Sequence, residues 1–261
     1  MWKDKTVSVV LMTYAERDSI RDVIDRFLAT GYVDEVLVVD NNAELGTKEE
    51  VAKTSARLVE EPRQGYGHAT RRGLTEAKSD LIVLAEPDGT FRPEDISKLL
   101  VYSDECDVVF GTRTTRELIW AGANMEFFLR WGNWVVAKMI ELLFNTSHLS
   151  DVGCTYRLLR RPIARSIAAE MKVGGNHAGI EVMLLTVVSG ARFVEVPVNY
   201  LPRVGTSSVT GQRIKILQVG LRMIEQVIRF RRSAPRRRMR APAFMAPRAD
   251  AGDEVNERIS L

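Results

Sequence analysis

Apolar residues recur along roughly the first 115 positions of the chain in two alternating patterns. Short runs rich in valine, leucine and isoleucine predict buried strands, and stretches with apolar residues three or four positions apart predict helices between them. The clearest helix has Ile20, Val23 and Phe27 on one face and ends at Gly31. The predicted strands cover residues 6–14, 33–42, 56–62, 80–86 and 106–113. Strands that are apolar on both faces and separated by helices predict an α/β fold, with a mostly parallel central sheet flanked by helices.

The second half of the chain has a different pattern. Apolar residues at helical spacing predict helices over residues 125–144, 161–171, 180–188 and 212–230. Residues 191–203 are extended in pattern, but Pro197 and Pro202 exclude a central place in a sheet, so we predict a bent strand or a strand pair. From residue 233 to 261 the chain is rich in arginine, proline and alanine, which predicts a disordered tail after a single domain of residues 1–232.

Polar side chains follow four of the predicted strands. They are Tyr14 and Glu16, then Asp40 to Asn42, then Glu86 and Asp88, and finally Arg113. Because ligands of parallel α/β sheets bind at the carboxyl ends of the strands, we expect these groups to form one site.

Glu86 and Asp88 are the most informative pair among them. Carboxylates two residues apart on an extended segment point to the same side, so they either cap the next helix or hold a cation. Pro93 already suits the start of that helix. A divalent cation, Mg²⁺ or Mn²⁺, would relieve the repulsion between the two acids.

Asp40 either accepts hydrogen bonds from a nucleoside or closes an Asx turn. The segment 63–73 is weakly similar to a phosphate-binding loop before a helix.

Composition and charge narrow the classes of protein only a little. A net charge of +3 and 45% hydrophobic residues are ordinary for a globular chain. Cys106 and Cys154 cannot form a disulfide framework and fit a reducing, cytoplasmic compartment, and the N-terminus has no signal-peptide pattern. The arginine-rich tail either contacts anionic lipid or remains solvated. Nucleic-acid binding is not favoured, because aromatic residues do not interleave with the basic ones.

The helix at 125–144 suits a membrane surface better than a membrane core. No apolar run has the roughly 18 to 20 residues that a bilayer crossing needs. This helix contains charged residues together with the aromatic side chains of Phe127, Phe128, Trp131 and Trp134, a composition typical of an interfacial helix. Packing in the core is the alternative.

Seven segments, in order, resemble the motifs of family 2 glycosyltransferases with the GT-A fold. They are VSVVLMTYAERDSI, VLVVDNN, GYGHATRRGL, LAEPDGTFRPEDI, VVFGTR, DVGCTYRLLRR and VEVPVNYLPRVGTSS. The resemblance covers roughly residues 6–210 and is strongest to the dolichyl- or polyprenyl-phosphate sugar synthases. It implies a nucleotide-binding half at about 1–115 and an acceptor half at about 116–232.

The resemblance also implies roles for individual residues. Those lining the nucleotide pocket would be Met12, Tyr14, Glu16, Asp40 and Asn42. Those at the metal would be Glu86, Asp88 and Thr90, with Mg²⁺ or Mn²⁺ as the cofactor. The catalytic set would be Asp88, Arg113, Arg130, Asp151, Arg157 and Arg203, with Glu181 and Ser207 in the acceptor and phosphate loops. The chain departs from the usual pattern at Met12 for proline, Glu86 for aspartate, Thr155 for glycine and Ser208 for lysine.

The implied activity is inverting, metal-dependent transfer of a sugar from a GDP- or UDP-linked donor to a polyprenyl phosphate. Related enzymes that act on sugar hydroxyls often have a Glu-Asp pair, whereas here Glu181 precedes Val182. A phosphate acceptor is already ionised and needs no strong general base. A saccharide or small-molecule acceptor and a non-catalytic nucleotide-sugar-binding protein are the alternatives. We expect a cytoplasmic protein that is peripheral at the membrane surface, with a membrane-protein partner as a further expectation.

Overall fold

The computed structural model describes residues 1–123, 127–205 and 213–233, without the side chains of residues 127–129 and 213–217. The strands in these ranges are β1 (Val7–Thr13), β2 (Glu35–Asp40), β3 (Arg57–Glu60), β4 (Leu81–Ala85), β5 (Val108–Thr112), β6 (Arg157–Arg160) and β7 (Phe193–Pro197). The helices are α1 (Arg17–Ala29), α2 (Thr47–Ala52), α3 (Tyr66–Glu76), α4 (Ile96–Val101), α5 (Phe127–Phe144), α6 (Arg161–Glu170), α7 (Ala178–Ser189) and α8 (Arg213–Ser233). Short 3₁₀ turns lie at Pro93–Asp95, Tyr102–Asp104 and Arg116–Leu118.

The strands form one sheet in the order β3-β2-β1-β4-β6-β5-β7. All neighbouring pairs are parallel except those of β6, which runs antiparallel to both β4 and β5. The prediction of a mostly parallel sheet is confirmed. The sequence patterns did not predict β6. The predicted bent strand with Pro197 is β7, an edge strand, as the proline required.

Successive residues of each strand point to opposite faces of the sheet. They pack into two hydrophobic layers, one on either face. On β1, Val9 and Leu11 pack with α1 and α4, whereas Val10 and Met12 pack with α3 and the helices of the second half. Each fully buried side chain of this size stabilises the fold by about 1.5–3 kcal/mol relative to an exposed one. Both layers are therefore needed to hold the sheet rigid beneath the site.

The carboxyl ends of the first strands lie at one edge of the sheet. Thr13 at the end of β1 is in register with Asp40 of β2, which is in register with Glu60 of β3. After β7 the chain returns along this edge, where the N–H of Leu201 donates to the carbonyl of Thr90 at 2.8 Å. The polar residues that follow different strands are thereby collected at one place.

No helix of the described ranges combines the length and the apolar character that crossing a bilayer requires. The predicted disordered tail, apart from Ser233, falls outside the residues that the structure describes, as do Ser207 and Ser208. The side chains of Phe127 and Phe128 are likewise outside the description. The division into halves at about residue 115 stays a prediction, although both halves supply strands to the one sheet.

Candidate active site

The guanidinium of Arg203 lies among three acidic side chains from the ends of β1 and β4. Its Nη2 donates to Oε1 of Glu16 at 2.8 Å. Its Nη1 lies 3.0 Å from Oδ2 of Asp88 and 4.0 Å from Oε2 of Glu86. The structure therefore brings together four residues that the sequence placed in three separate motifs.

Glu16 is held in this position by the turn that follows β1. Its Oε2 accepts the backbone N–H groups of Tyr14 at 2.7 Å and Ala15 at 2.9 Å. The other oxygen, Oε1, remains to accept the bond from Arg203. The Tyr14 ring itself is exposed, as a residue that stacks on a ligand would be. Glu16 thus shapes the turn and at the same time supplies negative charge to the site.

Asp88 is 1% exposed and uses its two oxygens differently. Oδ1 accepts the backbone N–H of Thr90 at 2.9 Å and the Thr90 hydroxyl at 2.6 Å. Oδ2 has the charge of Arg203 nearby but no aligned hydrogen-bond donor. Thr90, a predicted metal ligand, is therefore placed as the residue that orients Asp88.

The donor set fits a hard divalent cation. Burial, together with the neighbouring Asp88 charge, raises the pKa of Glu86 to about 8, and the Arg203 charge opposes the rise. A second positive charge would favour the ionised form of Glu86 in the same way. The buried Oδ2 of Asp88 is an oxygen ligand without a hydrogen bond. Within the described residues no three His, Cys, Asp or Glu side chains form a metal-holding cluster, so other oxygens, such as substrate phosphates, would complete the coordination.

Arg113 and Asp151 form a buried ion pair at the end of β5. Nε and Nη2 of Arg113 donate to the two oxygens of Asp151 at 2.8 and 3.0 Å, and the guanidinium lies 5.0 Å from the centre of the Tyr200 ring. Although burial acts to raise it, the arginine holds the pKa of Asp151 below its usual value. A bidentate pair of this kind fixes the direction of the cation. Arg113 is therefore an oriented positive charge at the site edge.

Glu195 on β7 holds the turn that contains Asp151, and the sequence patterns did not single it out. Its oxygens accept the N–H and the hydroxyl of Ser150, both at 2.7 Å, and the N–H of Asp151 at 3.1 Å. Burial raises the pKa of Glu195 to about 7. The sequence did contain a signal for Glu195, because its carboxylate lies between two valines on the predicted strand.

Of the predicted nucleotide-pocket residues, Asp40 and Asn42 shape the turn after β2. Oδ1 of Asp40 accepts the N–H of Ala43 at 2.7 Å, and Oδ2 lies 3.3 Å from Nζ of Lys48. Asn42 has a φ of +58°, a left-handed conformation that asparagine tolerates. Met12 is buried in the layer beneath. Asp40 therefore bonds the third residue after it, where an Asx turn bonds the second, and nucleoside binding by Asp40 stays a prediction.

Two predicted site residues are bonded to backbone groups of the second half of the chain. Arg157 is buried, and its guanidinium donates to the carbonyls of Cys154, Val152 and Gly179. Glu181 is also buried, and its oxygens accept the N–H groups of Lys172 and Val173 at 2.9–3.1 Å. Both side chains therefore hold backbone segments together, and the predicted roles of Arg157 at the sugar and of Glu181 in the acceptor loop stay predictions.

The weak resemblance of residues 63–73 to a phosphate loop is not supported. The first turn of α3 packs against residues 173–174, where the N–H of Gly67 donates to the carbonyl of Gly174 at 2.9 Å. A Cβ on Gly67 would lie 2.0 Å from the carbonyl oxygen of Val173. The glycine therefore permits a close approach of two backbones, and that approach occupies the place of an anion.

A cavity of about 440 Å³ opens beside Arg113, between the end of β5 and the start of α5. Its lining residues are Thr114, Arg130, Trp131, Trp134, His148 and Ser150. Ser150 also contacts the hydroxyl of Thr112 at 2.8 Å, so the lining is continuous with the turn that holds Asp151. Cationic and indole side chains thus share one opening. The sequence predicted a site role for Arg130 and an interfacial helix containing the two tryptophans, and it did not single out His148.

Solved structures establish the fold. Glucosyl-3-phosphoglycerate synthase from Mycobacterium tuberculosis, in complex with Mn²⁺, UDP and phosphoglyceric acid, aligns with a TM-score of 0.67 over 87% of this chain and 79% of that chain, at 18% identity. A structure of the same enzyme with Mn²⁺ and UDP-glucose aligns with a TM-score of 0.66. The seven-stranded, mostly parallel sheet with flanking helices is the GT-A glycosyltransferase fold.

The sequence pattern of glycosyl transferase family 2 matches residues 8–167, and the chain belongs to that family. It is therefore a glycosyltransferase. An uncharacterised glycosyltransferase of Mycobacterium tuberculosis is 30% identical over 81% of this chain and 94% of its own length. A dolichyl-phosphate hexose transferase of Haloferax volcanii is 28% identical over 78% of this chain and 86% of its own length. An undecaprenyl-phosphate 4-deoxy-4-formamido-L-arabinose transferase of Enterobacter is 28% identical over 76% of this chain and 60% of its own length.

Proposed function

We propose that this protein is a metal-dependent, inverting glycosyltransferase that moves a sugar from a GDP- or UDP-linked donor to a polyprenyl phosphate. The proposal rests on the cavity beside Arg113, which places the cation of Arg130 next to the indoles of Trp131 and Trp134. An acceptor with a charged head and an apolar chain needs both kinds of contact in one opening. The relatives named as dolichyl-phosphate and undecaprenyl-phosphate transferases support this choice of acceptor.

The donor diphosphate would bind at the carboxyl edge, where Asp88 and Glu86 would hold Mg²⁺ or Mn²⁺ together with phosphate oxygens. When bound, the metal would act as a Lewis acid that neutralises charge on the departing nucleoside diphosphate. Arg113, oriented by Asp151, would stabilise the same developing charge. Tyr14, exposed after β1, would contact the nucleoside, and Asp40 at the end of β2 would line the same pocket.

The acceptor chemistry follows from the groups around α7. A sugar hydroxyl must lose a proton as it attacks, so a base would be needed within reach. Glu181 is buried and bonded to loop amides, and Val182 beside it is apolar and buried. An ionised phosphate oxygen can attack the anomeric carbon directly. The new carbon–oxygen bond forms opposite the breaking bond to the diphosphate, which departs with the electron pair, and no proton is transferred.

A membrane surface would deliver the lipid acceptor. Along α5 the residues Trp131, Trp134, Val135 and Leu142 are exposed at spacings of one helix face. Trp131 and Trp134 also line the cavity, so the exposed stripe leads into it. We infer peripheral attachment at the cytoplasmic face, because Trp at this density is typical of helices that lie in a bilayer interface.

The test is a transfer assay with purified protein, detergent-dispersed polyprenyl phosphate, a panel of UDP- and GDP-sugars, and Mg²⁺ or Mn²⁺. We expect a glycosyl phosphopolyprenol product from one donor class. Replacement of Arg130 by Ala should lower kcat/KM for the lipid acceptor by about 10- to 100-fold, mainly through KM, because the acceptor phosphate loses one charge-assisted hydrogen bond. Arg21→Ala, an exposed arginine on α1 that pairs with Asp25, is the matched control and should be nearly unchanged.

The same assay separates the competing acceptors. Parallel reactions contain 3-phosphoglycerate or a saccharide in place of the lipid. Transfer to a saccharide hydroxyl with none to polyprenyl phosphate would overturn the proposed acceptor. Transfer to 3-phosphoglycerate alone would assign a small phosphorylated acceptor to the cavity. Full activity after removal of all divalent cations by chelation would overturn the metal dependence.

A further inference from the structure

Arg203 occupies the position that a cation bound by Asp88 would share. Its Nη1 lies 3.0 Å from Oδ2 of Asp88, and its Nη2 is bonded to Glu16 at 2.8 Å. A hard divalent cation would need the same Oδ2 at about 2.0–2.1 Å. Two positive charges this close together on one buried oxygen repel each other strongly. The arginine and the cation are therefore alternative partners of one carboxylate.

The backbone on either side of Arg203 is fixed to the loop that carries Asp88. The N–H of Leu201 donates to the carbonyl of Thr90 at 2.8 Å, and the N–H of Val204 donates to the carbonyl of Asp88 at 2.9 Å. The segment is thus tied at both ends, and the long arginine side chain is the part that can change partners. A change of rotamer would move the guanidinium and leave these two backbone bonds in place.

The contact between Arg203 and Asp88 is also incomplete. Oδ2 of Asp88 and Nε of Arg203 are both buried, and neither has a hydrogen-bond partner. A buried polar group that is left without a hydrogen bond destabilises the arrangement that holds it. By contrast, the neighbouring pair of Arg113 and Asp151 is bidentate and satisfied. Of these two ion pairs, only that of Arg203 and Asp88 has buried polar atoms to which another partner could bond.

We propose that Arg203 is the competitor of the divalent cation at Asp88, and that cation binding releases its guanidinium to the donor diphosphate. The proposal rests on the metal-dependent function proposed above. It makes the cation and the diphosphate bind cooperatively, because the diphosphate receives the arginine that the cation displaces. Cation alone should bind weakly, and cation with diphosphate should bind much more tightly. By linkage, each ligand raises the affinity for the other by the same factor.

The experiment measures Mn²⁺ affinity by isothermal titration calorimetry, with no substrate turnover. We titrate wild type, Arg203→Gln and Arg203→Lys, each with and without inorganic pyrophosphate. Pyrophosphate supplies a diphosphate without a nucleoside, so the result does not depend on which base the donor has. The binding of Mn²⁺ to pyrophosphate in buffer is measured separately and included as a competing equilibrium in the fit. We expect Arg203→Gln to bind Mn²⁺ alone about tenfold more tightly than wild type, within the range typical of coupled sites. Arg203→Lys keeps the charge and should stay near wild type.

In the glutamine variant the effect of pyrophosphate on Mn²⁺ affinity should shrink by about the same tenfold factor. Thermal unfolding checks that each variant is folded, and Mn²⁺ should raise the Tm of Arg203→Gln by more than that of wild type. Asp88→Asn is the control for the metal site itself. Equal Mn²⁺ affinity in wild type and Arg203→Gln, lost in Asp88→Asn, would overturn the competition and leave the proposed function intact. No Mn²⁺ binding to wild type or to any of these variants would overturn both.

Discussion

At the scale of single residues, Asp88 divides two tasks between its two oxygens. Oδ1 is bonded to the backbone and hydroxyl of Thr90, and Oδ2 faces Arg203. The first oxygen fixes the direction of the carboxylate, so that the second is presented to a charged partner. Residues that orient a metal ligand from behind commonly change metal affinity or activity by about 10- to 100-fold when they are replaced.

Thr90→Val tests that division, because valine keeps the shape of threonine and removes the hydroxyl. The backbone N–H bond to Oδ1 remains, whereas the 2.6 Å hydroxyl bond is lost. We expect transfer activity and Mn²⁺ affinity to fall by about tenfold, with a much smaller change in Tm. Thr90→Ser, which retains the hydroxyl, should behave nearly as wild type. Wild-type kinetics in Thr90→Val would show that the hydroxyl does not orient the carboxylate.

The sequence predicted the members of this site better than their partners. Glu86 and Asp88 could be identified because two acids directly follow a buried strand, and Arg203 because of its motif. The bond from Arg203 to Glu16 spans 187 positions, and no local pattern specifies such a pair. The carbonyl partners of Arg157 could not be predicted for the same reason, since the segment before β6 and the helix α7 meet only in the folded chain.

At the scale of elements, β7 supports the site through Glu195. This residue accepts the N–H groups of Ser150 and Asp151, and the side chain of Asp151 then holds Arg113. Burial raises the pKa of Glu195 to about 7, against about 4.3 in an unfolded chain. Between these two values the folded protein retains a proton that the unfolded chain has lost. The contribution of Glu195 to the free energy of unfolding is therefore expected to fall as pH rises from about 4.3 to 7.

Glu195→Gln removes this dependence, because glutamine has no proton to lose. We expect the wild type to lose about 1–3 kcal/mol of stability, relative to the variant, between pH 5 and pH 8. Urea denaturation of both proteins at each pH gives their difference in free energy of unfolding. The prediction concerns how that difference changes between the two pH values.

The matched control for that comparison is Glu141→Gln, near the same turn. The bonds from Lys138 and from the N–H of Leu149 outweigh burial and lower the pKa of Glu141. Its contribution is present above its unfolded pKa and is lost only at more acidic pH. Both comparisons use a His148→Asn background, because an imidazole 3.6 Å from Glu141 can change charge in this pH range. In that background the effect of Glu141→Gln should stay constant between pH 5 and pH 8. A constant difference for Glu195→Gln as well would show that Glu195 is ionised in the folded protein throughout.

The helices and parallel strands were predictable from periodicity, but β6 was not. It has only four residues, with arginine at both ends, and it leads directly into α6. Local propensity cannot distinguish such a segment from a loop, and what makes it a strand is the space between β4 and β5.

At the scale of the whole molecule, the exposed apolar stripe of α5 sets which side would meet a membrane. Trp131 and Trp134 stack edge to face with ring centres 5.5 Å apart, and Leu142 lies two to three turns further along. The buried face of the same helix packs through Val136, Ala137 and Ile140. The helix is thus apolar on both sides, and packing against the described residues covers only one of them.

Leu142→Glu is expected to weaken binding to vesicles that contain anionic lipid by about tenfold, the value of one leucine side chain withdrawn from an apolar phase. Leu45→Glu is the matched control, because Leu45 is 90% exposed where Leu142 is 84% exposed and it lies in the loop after β2. Flotation of the protein with vesicles measures both variants. An equal loss in the two variants would show that general charge, and not the α5 stripe, governs binding.

The sheet order has a consequence for the order in which the protein can be built during synthesis. Among the described strands, β5 pairs with β6 and β7 alone, and both come later in the chain. The strands β1 to β4 can associate as soon as the ribosome has released them, but β5 must wait until residue 160 has emerged. Arg113 at the end of β5 therefore joins the acidic residues late, so a nascent chain cannot complete the charge balance of its site before the second half is translated.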